Sequence, residues 1–333
     1  MVRSTGTGTE DYIFGAQALP ANGQATSDTM FFFDHSKGAF RGGTLDNSVN
    51  WSPDSIGVHS FAFGLNTKAS GDESIAIGNE AVASGRQSTA MGDETVASGR
   101  RSTAMGGDTE ASGFGSTAMG SGSRASGSSS TAVGDETEAS GDGSTAMGSG
   151  SRASGDGSTA MGDGSRASGD GSTAMGGGTR ASGSQSTAMG DGNQASGDQS
   201  TAMGSETEAS GDGSTSMGDG TRASGSRSTA MGDGSRASGS SSTAMGDFTI
   251  ASGNSSTAMG SETEAKGPNS MATINNTIAN GTDEMVVGRY NDTLVTTGQS
   301  LSSESPLFSV GNGLNNANTV SYTHLTLPTT PYV

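Results

Sequence analysis

From Ser60 onward the apolar positions of this chain recur with a period of fourteen residues, without one insertion or deletion through the unit that opens at Ser256. Each of the fifteen units begins with five residues: SFAFG in the first, SIAIG in the second and STAMG in nearly all the rest, with Val133 and Ser216 as small departures. Nine residues after each opening serine comes ASG, as at 69–71, 83–85 and 251–253, with AKG in the last unit at 265–267. One period therefore divides into five, two, five and two residues: STAMG, a pair such as Asp163 and Gly164, a second five such as SRASG, and a pair such as Asp170 and Gly171.

This division predicts an all-β fold, a parallel β-roll or β-solenoid in which every 14-residue coil supplies two short strands and stacks in register on the coil before. No proline occurs between residues 54 and 267, as continuous hydrogen-bonded ladders require. Glycine closes each five, where a two-residue bend needs φ > 0 or a corner without a side chain. Gly78, Gly85, Gly92 and Gly99 are thus expected to be turn glycines.

Alternation assigns the faces. In the second five, Ser165, Ala167 and Gly169 share one side and Arg166 and Ser168 the other. The small side is expected inside. The other column runs Lys68, Val82, Val96, Glu110, Arg124, Glu138, Arg152, Arg166, Arg180, Gln194, Glu208, Arg222, Arg236, Ile250 and Glu264, a variety that only water tolerates.

In the first five, Thr and Met share one face and Ser and Ala the other, and neither face takes a charge. That strand is expected to be buried on both sides, once against its own coil and once against another chain. The seam residues would be Met91, Met105, Met119, Met147, Met161, Met175, Met189, Met203, Met217, Met231, Met245 and Met259. A partner is needed because burying about one Met per coil falls short of the entropy of ordering fourteen residues. Methionine suits such a seam because it fills irregular gaps.

Composition narrows the picture further. Hydrophobic residues are 29% of the 333 and glycines number 57, which rules out a large aliphatic core. A disordered Gly/Ser linker would share that composition but has no reason to keep Met and Gly in phase. The net charge of −18 argues against nucleic acid as a partner. There is no cysteine, no apolar run of membrane-helix length, and no basic and apolar leader pattern in residues 1–15.

Catalytic chemistry finds little support. His35, His59 and His324 are isolated, and neither a G-x-S-x-G elbow nor a phosphate loop is present. No enzyme, cofactor or metal is expected. The recurrent turn aspartates, such as Asp142, Asp156 and Asp170, follow neither calcium-loop pattern and are read as turn formers.

The units SFAFG, SIAIG and STAMG, each followed after a short turn by ASG, resemble the head repeats of trimeric autotransporter adhesins, over residues 60–267. The resemblance implies a left-handed parallel β-roll, three chains packed side by side as a homotrimer, display at the bacterial cell surface, and binding to host matrix or cell-surface molecules. Met stands where the family usually has an aliphatic residue, which implies a softer seam.

Around this array, residues 1–59 are expected to form a lead-in and cap, with five of the fifteen aromatic residues in 30–43 and 51–60. Residues 268–319 are read as a connector, in which EMVVG at 284–288 keeps the period and residues 306–313 resemble a segment preceding endosialidase-type chaperones. Residues 320–333 resemble a translated sequencing-adapter tail, which places the native C-terminus elsewhere. Two alternatives to the adhesin remain open at this stage: a phage tail fibre or tailspike segment, and an ice-binding solenoid suggested by the threonine ladder.

Overall fold

The computed structural model describes residues 2–3, 12–14, 28–46, 48–291, 308–313 and 321–322. The chain divides into two compact units, Met1–Gly171 and Ser172–Val333. Each is a β-solenoid, and no α-helix occurs among the described residues.

In the first unit Val2–Arg3 pairs antiparallel with Tyr12–Phe14, Tyr12–Phe14 with Asp28–Asp34, and Asp28–Asp34 with Ala39–Leu45 in a hairpin. Ala39–Leu45 then pairs in parallel with Phe61–Leu65, so the hairpin is the first rung of the long sheet. Phe61–Leu65, Ile75–Asn79 and Thr89–Asp93 start a series of five-residue strands that reaches Thr159–Asp163. A second sheet holds the two-residue strands from Lys68–Ala69 to Arg166–Ala167. The second unit repeats both sheets, with five-residue strands from Thr173–Gly177 and two-residue strands from Arg180–Ala181 to Ile278–Ala279. Its coils continue past residue 267, because Met271–Asn275 and Met285–Arg289 keep the parallel register and Phe308–Asn312 adds a further rung.

Stacking is in register, Thr on Thr, Ala on Ala and Met on Met, as between Thr145–Ser149 and Thr159–Asp163. The turns are bonded coil to coil as well: Gly150 N–H reaches Asp135 O at 2.9 Å and Gly157 N–H reaches Asp142 O at 2.8 Å. This is how a chain poor in apolar side chains satisfies its backbone. The interior is correspondingly thin. Ala146, Ala153, Ala160 and Ala167 are all 0% exposed, and the serines that alternate with them are buried too.

The second strand of the coil is two residues long, not five. Ser168 and Gly169 leave the ladder because the chain must already bend there to close a coil of fourteen. Gly78 and Gly92, expected at turns, instead lie inside strands, at φ 129° and 135°. A Cβ on Gly92 would sit 1.8 Å from the carbonyl oxygen of Gly106. Gly85 and Gly99 do open turns, and close stacking rather than positive φ requires them, since a Cβ on Gly85 would lie 2.0 Å from Gly99 O. The left-handed residue of each turn is the second of the pair, Gly164 at 63° or Glu94 at 51°.

The first coil is covered by polar groups from the segment before it. Arg41 aligns with Ala62 in the interior column and is itself fully buried. Its guanidinium donates to Phe40 O, Ser60 O, Ser60 Oγ and Ala69 O at 2.7–3.2 Å. Burial lowers its pKa to about 10, so it stays charged at neutral pH. Trp51 Nε1 donates to Thr67 O, and Asn50 Nδ2 to Asn66 O, both at 2.8 Å. At the far end of the second unit Asn291 ends the short sheet by imitating a strand: its Oδ1 accepts from Ile278 N–H at 2.7 Å and its Nδ2 donates to Ile278 O at 2.9 Å.

Candidate interaction faces

The section of one coil explains which faces are available. Ser158 and Ala160 of the long strand and Ser165 and Ala167 of the short strand are all buried, so the two inner faces meet each other. Their outer faces therefore point in opposite directions. Thr159 and Met161 lie on one and are half-buried; Arg166 and Ser168 lie on the other and are exposed.

The Thr and Met face is an uncharged stripe in both units. Of its twelve methionines, Met91, Met119, Met161, Met175, Met189, Met203, Met217, Met231, Met245 and Met259 are half-buried. Met105 and Met147 are 37% and 40% exposed. The first coils carry larger groups on this face, with Phe63 49% and Ile75 38% exposed. A contiguous apolar stripe of this kind marks an interaction surface rather than a solvated one. Every Thr of the ladder from Thr89 to Thr257 shares this face with a Met, except Thr131, which shares it with Val133.

On the opposite side Arg124, Arg152, Arg166, Arg180, Arg222 and Arg236 are all exposed. Opposite charges on adjacent rungs pair: Arg124 with Glu110 at 2.9 Å, Arg152 with Glu138 at 2.7 Å and Arg222 with Glu208 at 2.5 Å. Such exposed pairs add little stability.

The turns have their own chemistry. Asp142, Asp156 and Asp170 each accept, through Oδ1, the backbone N–H of the equivalent residue one coil earlier, at 2.8, 2.9 and 3.1 Å. Recurrent aspartate therefore bonds coils together. In the other turn, repulsion from Asp108, a hydrogen bond to it, and the nearby Asp93 and Glu80 raise the pKa of exposed Glu94. Bonds from Gln87 and Arg86 hold Glu73 below the usual carboxylate range. Among the described residues no group of three or more His, Asp or Glu is placed to hold a metal. His59 occupies a left-handed turn position at φ 54°, His35 lies in the hairpin turn, and His324 lies outside the described residues.

Three features escaped the sequence pattern. Arg41 in the interior gave no local sign. Asn193 replaces Ser or Thr in a buried column and bonds Met189 O, Gly204 O, Thr207 N–H and Thr207 Oγ1 at 2.6–2.8 Å. Phe248 interrupts a turn column otherwise filled by glycine and polar residues, and it is 58% exposed. The last two stand out as breaks in a column, a signal available in the repeat alignment itself.

A parallel β-solenoid with an interior mostly of Ala, Ser and Thr, a Thr and Met stripe on the outer side of its long sheet and a charged column on the outer side of its short sheet is the class of protein defined here. The YadA head domain repeat (2 copies) matches residues 55–81, 83–109 and, in overlapping windows, 111–273, and the chain belongs to that family. It thus carries the head repeats of trimeric autotransporter adhesins. Proteins of the family are trimeric, structural or adhesive and generally non-enzymatic, and trimeric autotransporter adhesins are displayed on the bacterial cell surface. No curated protein matches the chain. No helix among the described residues is long and apolar enough to cross a membrane.

Proposed function

We propose that this chain is a non-enzymatic, adhesive head that assembles as a homotrimer along its Thr and Met face and presents its short-strand face and turns to host matrix or cell-surface molecules. The observation that carries this reading is the uncharged stripe of Met91, Met105, Met119 and their successors, which stays half-exposed in a single chain. In a thin solenoid whose interior is alanine and serine, that stripe is the main reserve of apolar surface still to be buried. Three copies meeting along it would supply the second layer that a lone coil lacks. The outward arginine and glutamate column would remain in water, where repeated weak contacts act together.

Light scattering on the purified full chain tests the assembly. The expected mass is about three times the 32.6 kDa of one chain. A well-folded soluble monomer at micromolar concentration would overturn the seam. Adhesion is tested by coating the trimer on beads and measuring retention on immobilised matrix, with binding expected for the trimer and none for a dissociated variant.

A further inference from the structure

One side of the second unit departs from the regular pattern. Phe248 follows Asp247 at the turn position that Gly220 and Gly234 hold in the two preceding coils, with φ 50° against 58° for both glycines. A Cβ on Gly234 would lie 2.6 Å from atoms of the Phe248 ring, so the ring folds back over bare backbone. Next to it the short-strand column reads Arg222, Arg236 and Ile250 on adjacent rungs. These six residues line an open groove of about 460 Å³. Arg222 is held by Glu208 at 2.5 Å, whereas Arg236 has no ion pair among the described residues.

We infer that this groove binds a single sugar ring bearing one carboxylate. The exposed face of Phe248, continued by Ile250, offers a flat apolar wall to the C–H face of a ring. The Arg236 guanidinium, on the rung next to Arg222, supplies a planar fork for a carboxylate, and the adjacent positive charge adds to its attraction. Gly220, with nothing within 4 Å of an added Cβ, leaves the floor open beside the ring, and the volume lies near the small end of the range for ligand sites. The net charge of −18 opposes the approach of a polyanion, which favours one carboxylate over a sulfated polysaccharide. An acidic peptide would satisfy Arg236 but offers no ring to Phe248.

The groove lies on the short-strand side, opposite the Thr and Met stripe, since Ala230 and Ala237 close the interior between them. It therefore stays open in the proposed trimer, which would carry three copies and multiply a weak affinity. The inference takes its biological setting from the adhesive reading. Its binding measurement is independent, because a groove within one chain binds whether or not the head trimerises or adheres.

The test is titration of the full chain with N-acetylneuraminic acid, beside glucose, acetate and triglutamate, by calorimetry and chemical-shift change. Saturable binding of the acidic sugar in the millimolar range is expected, at least about tenfold tighter than glucose or acetate. Phe248→Gly and Arg236→Gln should each weaken it at least about tenfold. Both variants should fold, since Gly234 and Gln194 already fill the equivalent positions in other coils. Arg124→Gln, outside the groove, should leave binding unchanged. Absence of saturable binding, undiminished binding in both groove variants, or tighter binding of triglutamate would each overturn the assignment.

Discussion

Gly92 and Gly106 hold the same place on successive rungs, and a Cβ on the first would lie 1.8 Å from the carbonyl oxygen of the second. Backbone meets backbone there, at a φ of 135° that L side chains rarely adopt. Gly92→Ala is therefore expected to cost more than about 4 kcal/mol or to prevent folding. Gly164, at φ 63° with nothing within 4 Å of an added Cβ, should accept Asn within about 1 kcal/mol. Denaturant unfolding of the two variants checks the contrast; equal losses would mean that glycine serves only the turns.

The two strands of one coil should respond very differently to a carboxylate. Met161→Asp puts a charge on the stripe assigned to the seam, where three copies would be desolvated in one layer. Arg166→Asp changes an exposed residue whose neighbour on the preceding rung is Arg152, and it should be neutral or slightly stabilising. Thermal unfolding and oligomer mass should fall for the first and hold for the second. A larger loss for Arg166→Asp would place the seam on the short sheet.

Arg41 closes the start of the interior column with bonds to three carbonyls and one hydroxyl. Arg41→Met removes those bonds, while Ser60 O and Ala69 O each keep a backbone donor, Phe40 N–H and Gly57 N–H, so the expected loss is about 1.5–3 kcal/mol. The expected signature is local: faster amide exchange around residues 60–69 and little change in coils further along. Uniform loss of protection over the whole chain would contradict a capping role.

Glu284 sits where other coils have a buried serine, and its Oε2 accepts from Gly281 N–H at 2.7 Å. Burial outweighs that bond and raises its pKa. With the folded value above the unfolded one, this group favours the folded state most when protonated, below its unfolded pKa, and that contribution is lost as pH rises through the folded pKa. Glu284→Ser should accordingly raise the stability of the C-terminal coils at pH 7 and lose its advantage near pH 4. Exchange protection of residues 271–289 at the two pH values measures this; an advantage that grows toward acid would contradict it.

Much of this was legible in the sequence because a fixed period leaves each residue type in one place. The alternation of Ala167 with Arg166 assigns inside and outside as soon as the fold is known, and Met161 opposite Ala160 does the same for the long strand. The glycines were harder, since Gly92 and Gly164 are one residue type serving two purposes: one permits backbone contact between rungs and the other a left-handed corner. Arg41 was illegible, because its role depends on a hairpin strand joining the sheet at the level of Ala62. The length of the second strand was also hidden, since its last residues alternate correctly while the backbone has already turned.

The central claim, that the Met face joins three chains, is tested most directly by thiol cross-linking. The chain has no cysteine, so Met161→Cys and Arg166→Cys each introduce a single thiol per subunit. With a short bifunctional thiol reagent at low micromolar protein, Met161→Cys should give covalent dimers in high yield, independent of dilution, and Arg166→Cys essentially none. Efficient cross-linking through Arg166→Cys with none through Met161→Cys would contradict the account.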